Sequence, residues 1–386
     1  MFLKNTIRRN PELIDTVFEL HQNNELTPDS FVVDMDQLLE NAKMILDQAN
    51  ENQIELYFML KQLGRNPVIA KKLMDLGYAG AVVVDFKEAK VMMRHRIPIR
   101  NVGHLVQVPK GMMQEIIAYG SEFITVYSLE KIAEINTGAK QCGKVQKIML
   151  RVSDDSDMMY SGQMAGFDLS ELEAVIKACQ KYQNIKIAGV TSFPCFLYQE
   201  ESKKITQTNN LQTVMRAADI LKQHGITAEV INTPSSTCTE MISLMKESGS
   251  NCGEPGHGLT GTTPAHEQYD LCEKPCVVYL SEISHNFAGK AYCYGGGFYR
   301  RSHVSNALVG NNREQGEMVK VYPPSLESID YHFELSKEQS VGETVIMAFR
   351  FQIFVTRSDV VLVEGIKTGQ PRIIGIYDSL GNEVQR

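Results

Sequence analysis

Lys61 ends an apolar run, ELYFMLKQLGRNP, that reads as a strand opening into a loop. In a parallel α/β protein the carboxyl ends of strands are where ligands bind. A lysine there, shielded by apolar neighbours, has its pKa lowered towards that of a nucleophilic amine. A lone strand-end lysine more often only reaches out to water, so it needs companions. Two loops supply them. NCGEPGHGLTG (251–261) sets Glu254 before a Pro-Gly turn, and Gly256, His257 and Gly258 continue it with backbone amides that can converge on an anion such as a phosphate. NTPSSTCTE (232–240) follows the strand-like run AEVINT and opens a helix, so Ser235, Ser236 and Thr237 offer hydroxyls and helix N-terminal amides. Each loop alone is an ordinary turn or N-cap. Together with the lysine they are compatible with a cofactor phosphate.

The elements that must position these residues alternate from about residue 31 to residue 264. Strand-like runs are FVVDM (31–35), IELYFML (54–60), AGAVVVD (79–85), NVGHLVQ (101–107), FITVY (123–127), KIMLRV (147–152), IAGVTSF (187–193) and AEVINT (228–233). Between them lie helical patterns. In 204–224, Leu211, Val214, Met215, Ala218 and Leu221 form one apolar face. Asp168 with Glu171 reads as a capping box for a helix running through Cys179. This alternation implies parallel strands with crossover helices. Periodicity fits a doubly wound sheet and a TIM-type barrel equally.

Beyond residue 275 the texture changes to CVVYLSEISH, KAYCY, TVIMAFRFQIFVT and DVVLVEGI, separated by turn residues. These predict an antiparallel β domain. The triple glycine of CYGGGFYRR (293–301) lets a backbone bend or approach a neighbour closely. It does not lead from a strand into a helix, which argues against a dinucleotide loop.

A chain of 386 residues suits two domains. A net charge of −7, with both signs mixed along the chain, gives nucleic acid or an anionic membrane no basic field to bind. No apolar run is long enough to span a bilayer, and the N-terminus MFLKNTIRRNPELIDTVFELH has no secretory h-region. Eight cysteines lack CxxC spacing and no histidine completes a zinc set, so reduced thiols, a cytoplasmic location and no metal are expected.

With those segments in view, the order of elements resembles the fold type III pyridoxal-phosphate enzymes: alanine racemases, D-serine dehydratases, D-threonine aldolases and basic amino-acid decarboxylases. FVVDMDQLLENAKMI looks like their opening strand and helix. LYFMLKQLGRNPVIAKKLMDLGYAGAVVVDFKEA is similar to their lysine strand, the helix after it and the next strand. TVYSLEKIAEI, IAGVTSF and EPGHGLTG match in register, and the YhfX-like branch is the most similar. The resemblance implies a TIM-type (β/α)8 barrel over 37–264, joined to a second, mostly antiparallel β domain made of 1–36 and 265–386. It implies pyridoxal 5′-phosphate held as an imine on Lys61, with Glu254 facing the pyridine nitrogen and a homodimer as the assembly. Ser235, Ser236, Thr237, Gly256, His257 and Gly258 would hold the phosphate. Phe193 falls where many relatives stack a histidine on the ring.

Two departures bear on the reaction. Alanine racemases have an arginine near the substrate carboxylate where YSGQMAGF (160–167) has Met164 or Ala165. D-serine dehydratases hold zinc where this chain has Arg350 and Gln352 or their neighbours. A second acid–base group is needed for racemisation, and Tyr294 and Tyr292, with Cys293 and His285 beside them, are the candidates. A glutamate at the ring nitrogen suits full electron-sink chemistry. The expectation is therefore an enzyme acting at the Cα of an amino acid or related amine, a racemase by its barrel segments. A decarboxylase or lyase, and a non-catalytic pyridoxal-phosphate binder, are the alternatives.

Overall fold

The structure is a computed structural model that describes residues 2–384. They divide into two compact units, one of residues 43–60 and 67–258, the other of residues 2–42, 61–66 and 259–384.

The first unit is a closed barrel. Its parallel strands are Glu55–Phe58, Gly80–Val83, Ile99–Val102, Phe123–Val126, Gln146–Ser153, Ile185–Thr191, Val230–Asn232 and Cys252–Gly253. Each pairs with the next, and Cys252–Gly253 pairs with Glu55–Phe58 to shut the ring. That closure decides between the two architectures that periodicity left open. Helices Pro67–Leu76, Phe86–Arg94, Met113–Tyr119, Leu129–Gln141, Leu172–Cys179, Asn209–Gln223 and Thr239–Glu247 make the crossovers. Local chemistry fixes their ends. Asp85 accepts from the amide of Glu88, and Ser128 from that of Lys131, so both helices start on side-chain caps. Gly120 ends Met113–Tyr119 in the left-handed region, at φ 97°.

Several elements depart from the sequence pattern. NVGHLVQ stops being a strand at Val102, because Gly103 turns the chain at φ 95° and a Cβ there would lie 2.6 Å from the Thr125 carbonyl oxygen. Lys204–Gln207 is a strand paired antiparallel to Phe196–Gln199, so the helix expected from 204 begins at Asn209. Asp168 does cap, but it caps the 3-10 turn Leu169–Glu171, and the α-helix starts at Leu172.

The second unit is a nine-stranded sheet. Ser30–Asp34 lies inside it, antiparallel to Val277–Phe287 and parallel to Asp359–Glu364. Both faces of that strand are covered, so SFVVD is buried throughout rather than alternating. Val32 joins Val278, Leu280, Ile346 and Val361 in a core with Leu13, Ile14, Val17 and Phe18 of the helix Pro11–Gln22. Phe31 turns the other way, against Tyr279, Phe349 and Phe351. TVIMAFRFQIFVT is strand only over Thr344–Met347, and Ile353–Val355 is a 3-10 turn. The triple glycine is a close-packing device. A Cβ on Gly297 would lie 2.4 Å from the Tyr279 ring, and one on Gly296, at φ 125°, would overlap the Asp29 carboxyl.

Candidate active site

Within the barrel unit three loops converge at the carboxyl ends of the strands. The amide of Cys195 donates to Pro234 O at 3.0 Å, tying the loop after Ile185–Thr191 to the Ser235–Thr237 loop. The amide of Glu254 donates to Thr237 Oγ1 at 3.3 Å, tying that loop to the Glu-Pro-Gly turn. Finally, the amide of Met59 donates to Pro255 O at 3.0 Å, so the turn is bonded to the chain leaving the first barrel strand. Lys61 follows two residues later, as the first residue of the 3-10 turn Lys61–Leu63.

Glu254 is buried, 8% exposed, and accepts from Asn232 Nδ2 at 2.7 Å. Asn232, fully buried, also reaches Thr191 Oγ1 at 3.3 Å. One amide thereby aims a carboxylate from the end of the last strand.

The two expected phosphate loops lie against each other in the barrel unit. Ser235 and Ser236 are consecutive residues at positive φ, 108° and 55°, a tight turn of the kind in which backbone amides can gather on an anion. The helix Thr239–Glu247 opens next to them with no side-chain cap from Cys238. At Gly258 a Cβ would lie 2.3 Å from Thr237 O, so only glycine lets the two loops approach this closely. Gly256 and His257, both half-buried, complete that turn. These residues fit a phosphorylated ring cofactor.

Phe193 is half-buried, with the buried His104 edge-on at 5.9 Å and Tyr160 tilted at 5.9 Å. A histidine does therefore stand beside this position, but it comes from the loop after Ile99–Val102. The sequence pattern hides His104, because it lies in a run that reads as strand. Met164, where alanine racemases have an arginine, is 77% exposed. That place offers no carboxylate clamp.

Lys61, Tyr292 and Tyr294 belong to the other compact unit. The two tyrosines are i and i+2 on Lys290–Tyr294, so they share one sheet face. His285 stacks on Tyr292 at 4.9 Å, and His332 lies 6.0 Å from Tyr294. Cys293 points to the opposite, buried side, and burial pushes its thiol up to about 12. It is unsuited to proton transfer, which corrects its candidacy. Among the described residues no group of three or more His, Cys, Asp or Glu is arranged to hold a metal. No helix there is long and apolar enough to cross a membrane.

The alanine racemase N-terminal domain family matches residues 33–264, which is more than half the chain. The chain belongs to that family. Its members bind pyridoxal 5′-phosphate, the cofactor implied by the sequence. Residues 278–373 match the YhfX-like C-terminal domain. A full-length relative, the uncharacterized protein YhfX of Escherichia coli K12, is 44% identical over 100% of both chains. Among solved structures of this alanine racemase-like fold, D-threonine aldolase from Filomicrobium marinum is similar with a TM-score of 0.68 at 15% identity, covering 92% of this chain and 95% of its own. Alanine racemase from Bacillus anthracis gives 0.67 at 16%, covering 92% and 99%. D-threo-3-hydroxyaspartate dehydratase from Delftia sp. HT23 gives 0.66 at 14%, covering 90% and 96%. These structural neighbours thus carry isomerase, aldolase and dehydratase names on one fold.

Proposed function

We propose that the protein is a pyridoxal-phosphate enzyme acting at the Cα of an amino acid, and that it is an amino-acid racemase. The observation that carries this reading is Glu254, buried, aimed by Asn232 and bonded through its Pro-Gly turn to the strand that leads into Lys61. Bound through its aldehyde carbon, the cofactor delocalises the electron pair left at Cα when a bond there breaks. Lys61 is the amine that would hold it and take the Cα proton. Glu254 would keep a proton on the ring nitrogen, while Ser235, Ser236, Thr237, Gly256, His257 and Gly258 grip the phosphate and Phe193 lies against the ring. Tyr294, or Tyr292 beside it, would handle the proton on the second face, from the partner subunit of a homodimer. Eight free cysteines suit a reducing, cytoplasmic setting.

A lyase or decarboxylase is the second reading, favoured by the carboxylate at 254 and the exposed Met164 in place of a clamp. A binder without turnover is the third. Mass spectrometry after borohydride reduction should find the cofactor on Lys61, and Lys61→Ala should be colourless. A yellow Lys61→Ala protein would overturn the assignment. In deuterated water, exchange of Cα hydrogen with loss of optical activity marks a racemase, and loss of substrate marks a lyase or decarboxylase. Neither change across a wide L- and D-amino-acid panel would leave only the binder.

A further inference from the structure

Among the described residues, Arg151 is a buried charge in the barrel with no carboxylate partner. Arg151, on Gln146–Ser153, is 2% exposed and among the largest fully buried side chains. Its Nη1 donates to His104 O at 3.1 Å and its Nη2 to Gln163 O at 2.9 Å. The guanidinium carries five N–H donors, and among the described residues Nε meets no acceptor. Its carbon lies 5.7 Å from the Tyr127 ring centroid. Burial pushes its pKa down, and only Tyr127 opposes that; among the described residues no carboxylate acts on it. A desolvated, uncompensated charge is costly, and two carbonyls could be bridged by a neutral donor at less cost.

The strand register says what this charge faces. Arg151 pairs with Thr191, and Thr191 with Asn232. Paired residues of neighbouring parallel strands project to the same face. Arg151 therefore heads a row of side chains that runs through Thr191 to Asn232, whose amide donates to Glu254 two residues beyond its register partner Cys252, with the Cα atoms of Arg151 and Asn232 about 10 Å apart. Further down the barrel, Asn101, whose register runs through Phe123 to Lys147, is fully buried and its Nδ2 has no acceptor among the described residues. The row offers a cation with an unmet donor at one end and an oriented carboxylate at the other.

We infer that Arg151 is the clamp for the substrate's carboxylate, so that the substrate is an α-amino acid rather than a simple amine. This rests on the pyridoxal-phosphate reading above. A guanidinium stabilises the ionised carboxylate and opposes its loss as carbon dioxide, so the reaction keeps the carboxylate. That favours racemisation or side-chain cleavage over decarboxylation.

Two reduced adducts that differ by one carboxylate test this: N-phosphopyridoxyl-glycine and N-phosphopyridoxyl-methylamine. Each is titrated calorimetrically into the full-length protein freed of cofactor. The glycine adduct should bind about 10–100-fold more tightly, as a charge-assisted pair requires. Arg151→Met should bring the ratio to about one without changing the methylamine adduct's affinity, and Arg151→Lys should keep part of it. Equal binding of both adducts to the unaltered protein overturns the clamp but leaves the cofactor reading standing, a result that does not depend on any variant folding. Arg151→Met weakening both adducts alike also overturns it, since Arg151 would then hold the loops or the cofactor. If neither adduct nor pyridoxal phosphate binds, both readings fail.

Discussion

The two ends of the barrel treat charge in opposite ways. At the amino ends of the strands, Arg100 pairs with Glu55 at 2.6 Å and with Glu122. Lys147 pairs with Glu122 at 3.3 Å and with Glu229 at 2.7 Å, and Lys186 with Glu229 at 2.5 Å. Tyr57 adds a hydrogen bond to Glu55 at 2.8 Å. Signs alternate along this chain, so each charge is met by its neighbours. At the carboxyl ends, Arg151 is more deeply buried than Arg100 and has no carboxylate among the described residues, and Glu254 is held by an amide. A paired end closes a barrel; an end with charges kept apart is built to receive something charged between them. That division matches where barrel enzymes bind ligands.

Breaking the receiving end should have the largest effect. Replacing Glu254 by Gln keeps the shape but cannot hold a proton on a ring nitrogen. Cα hydrogen exchange measured by NMR in deuterated water should fall by about 100-fold or more, while the protein stays yellow. Exchange within about threefold of the unaltered enzyme would mean that the carboxylate has no part in the chemistry.

Breaking the closing end should lower stability instead. Arg100→Met leaves Glu55 with the Tyr57 hydroxyl and Glu122 with Lys147, and the Arg100 side chain is 23% exposed. A cost of about 1–3 kcal/mol is expected, between the values for surface and buried pairs. The contrast sharpens with Arg151→Met, which loses two bonds to carbonyls but also removes an uncompensated buried charge. In the cofactor-free protein these effects oppose, and urea unfolding should shift by no more than about 1 kcal/mol. If Arg151→Met destabilises more than Arg100→Met, Arg151 is a structural tie and the comparison breaks.

How far these ends were legible in the sequence depends on residue chemistry. Lys61 stood out because a charge directly follows an apolar strand, and Glu254 because a Pro-Gly turn follows it. Arg151 did not stand out, since IMLRV is a strand pattern with one charge that would ordinarily face water; only the closed register turns it inward. The last barrel strand, Cys252–Gly253, is two residues long and too short to give a period. The helices Leu3–Arg9 and Pro11–Gln22 went unread although Asn10-Pro11 is an N-cap followed by proline at the first helical position. Polar contacts such as Asn232 with Glu254 join different strands, and no local pattern encodes them.

The smallest effect expected at the closing end is one of pH. Hydrogen bonds from Lys147 and Lys186 hold the Glu229 carboxyl below the usual range. Its folded pKa therefore lies below the unfolded one, which is about 4.3. The stabilisation is fully present above the unfolded value and is lost as pH falls through the folded one. Glu229 is a third exposed, so water screens it and the gain is about 1 kcal/mol or less. The stability difference between the unaltered protein and Glu229→Gln should be constant from about pH 8 to about 5 and shrink below that. A difference that persists unchanged into acid would mean that Glu229 acts through packing, and the alternating charges would not be what closes this end.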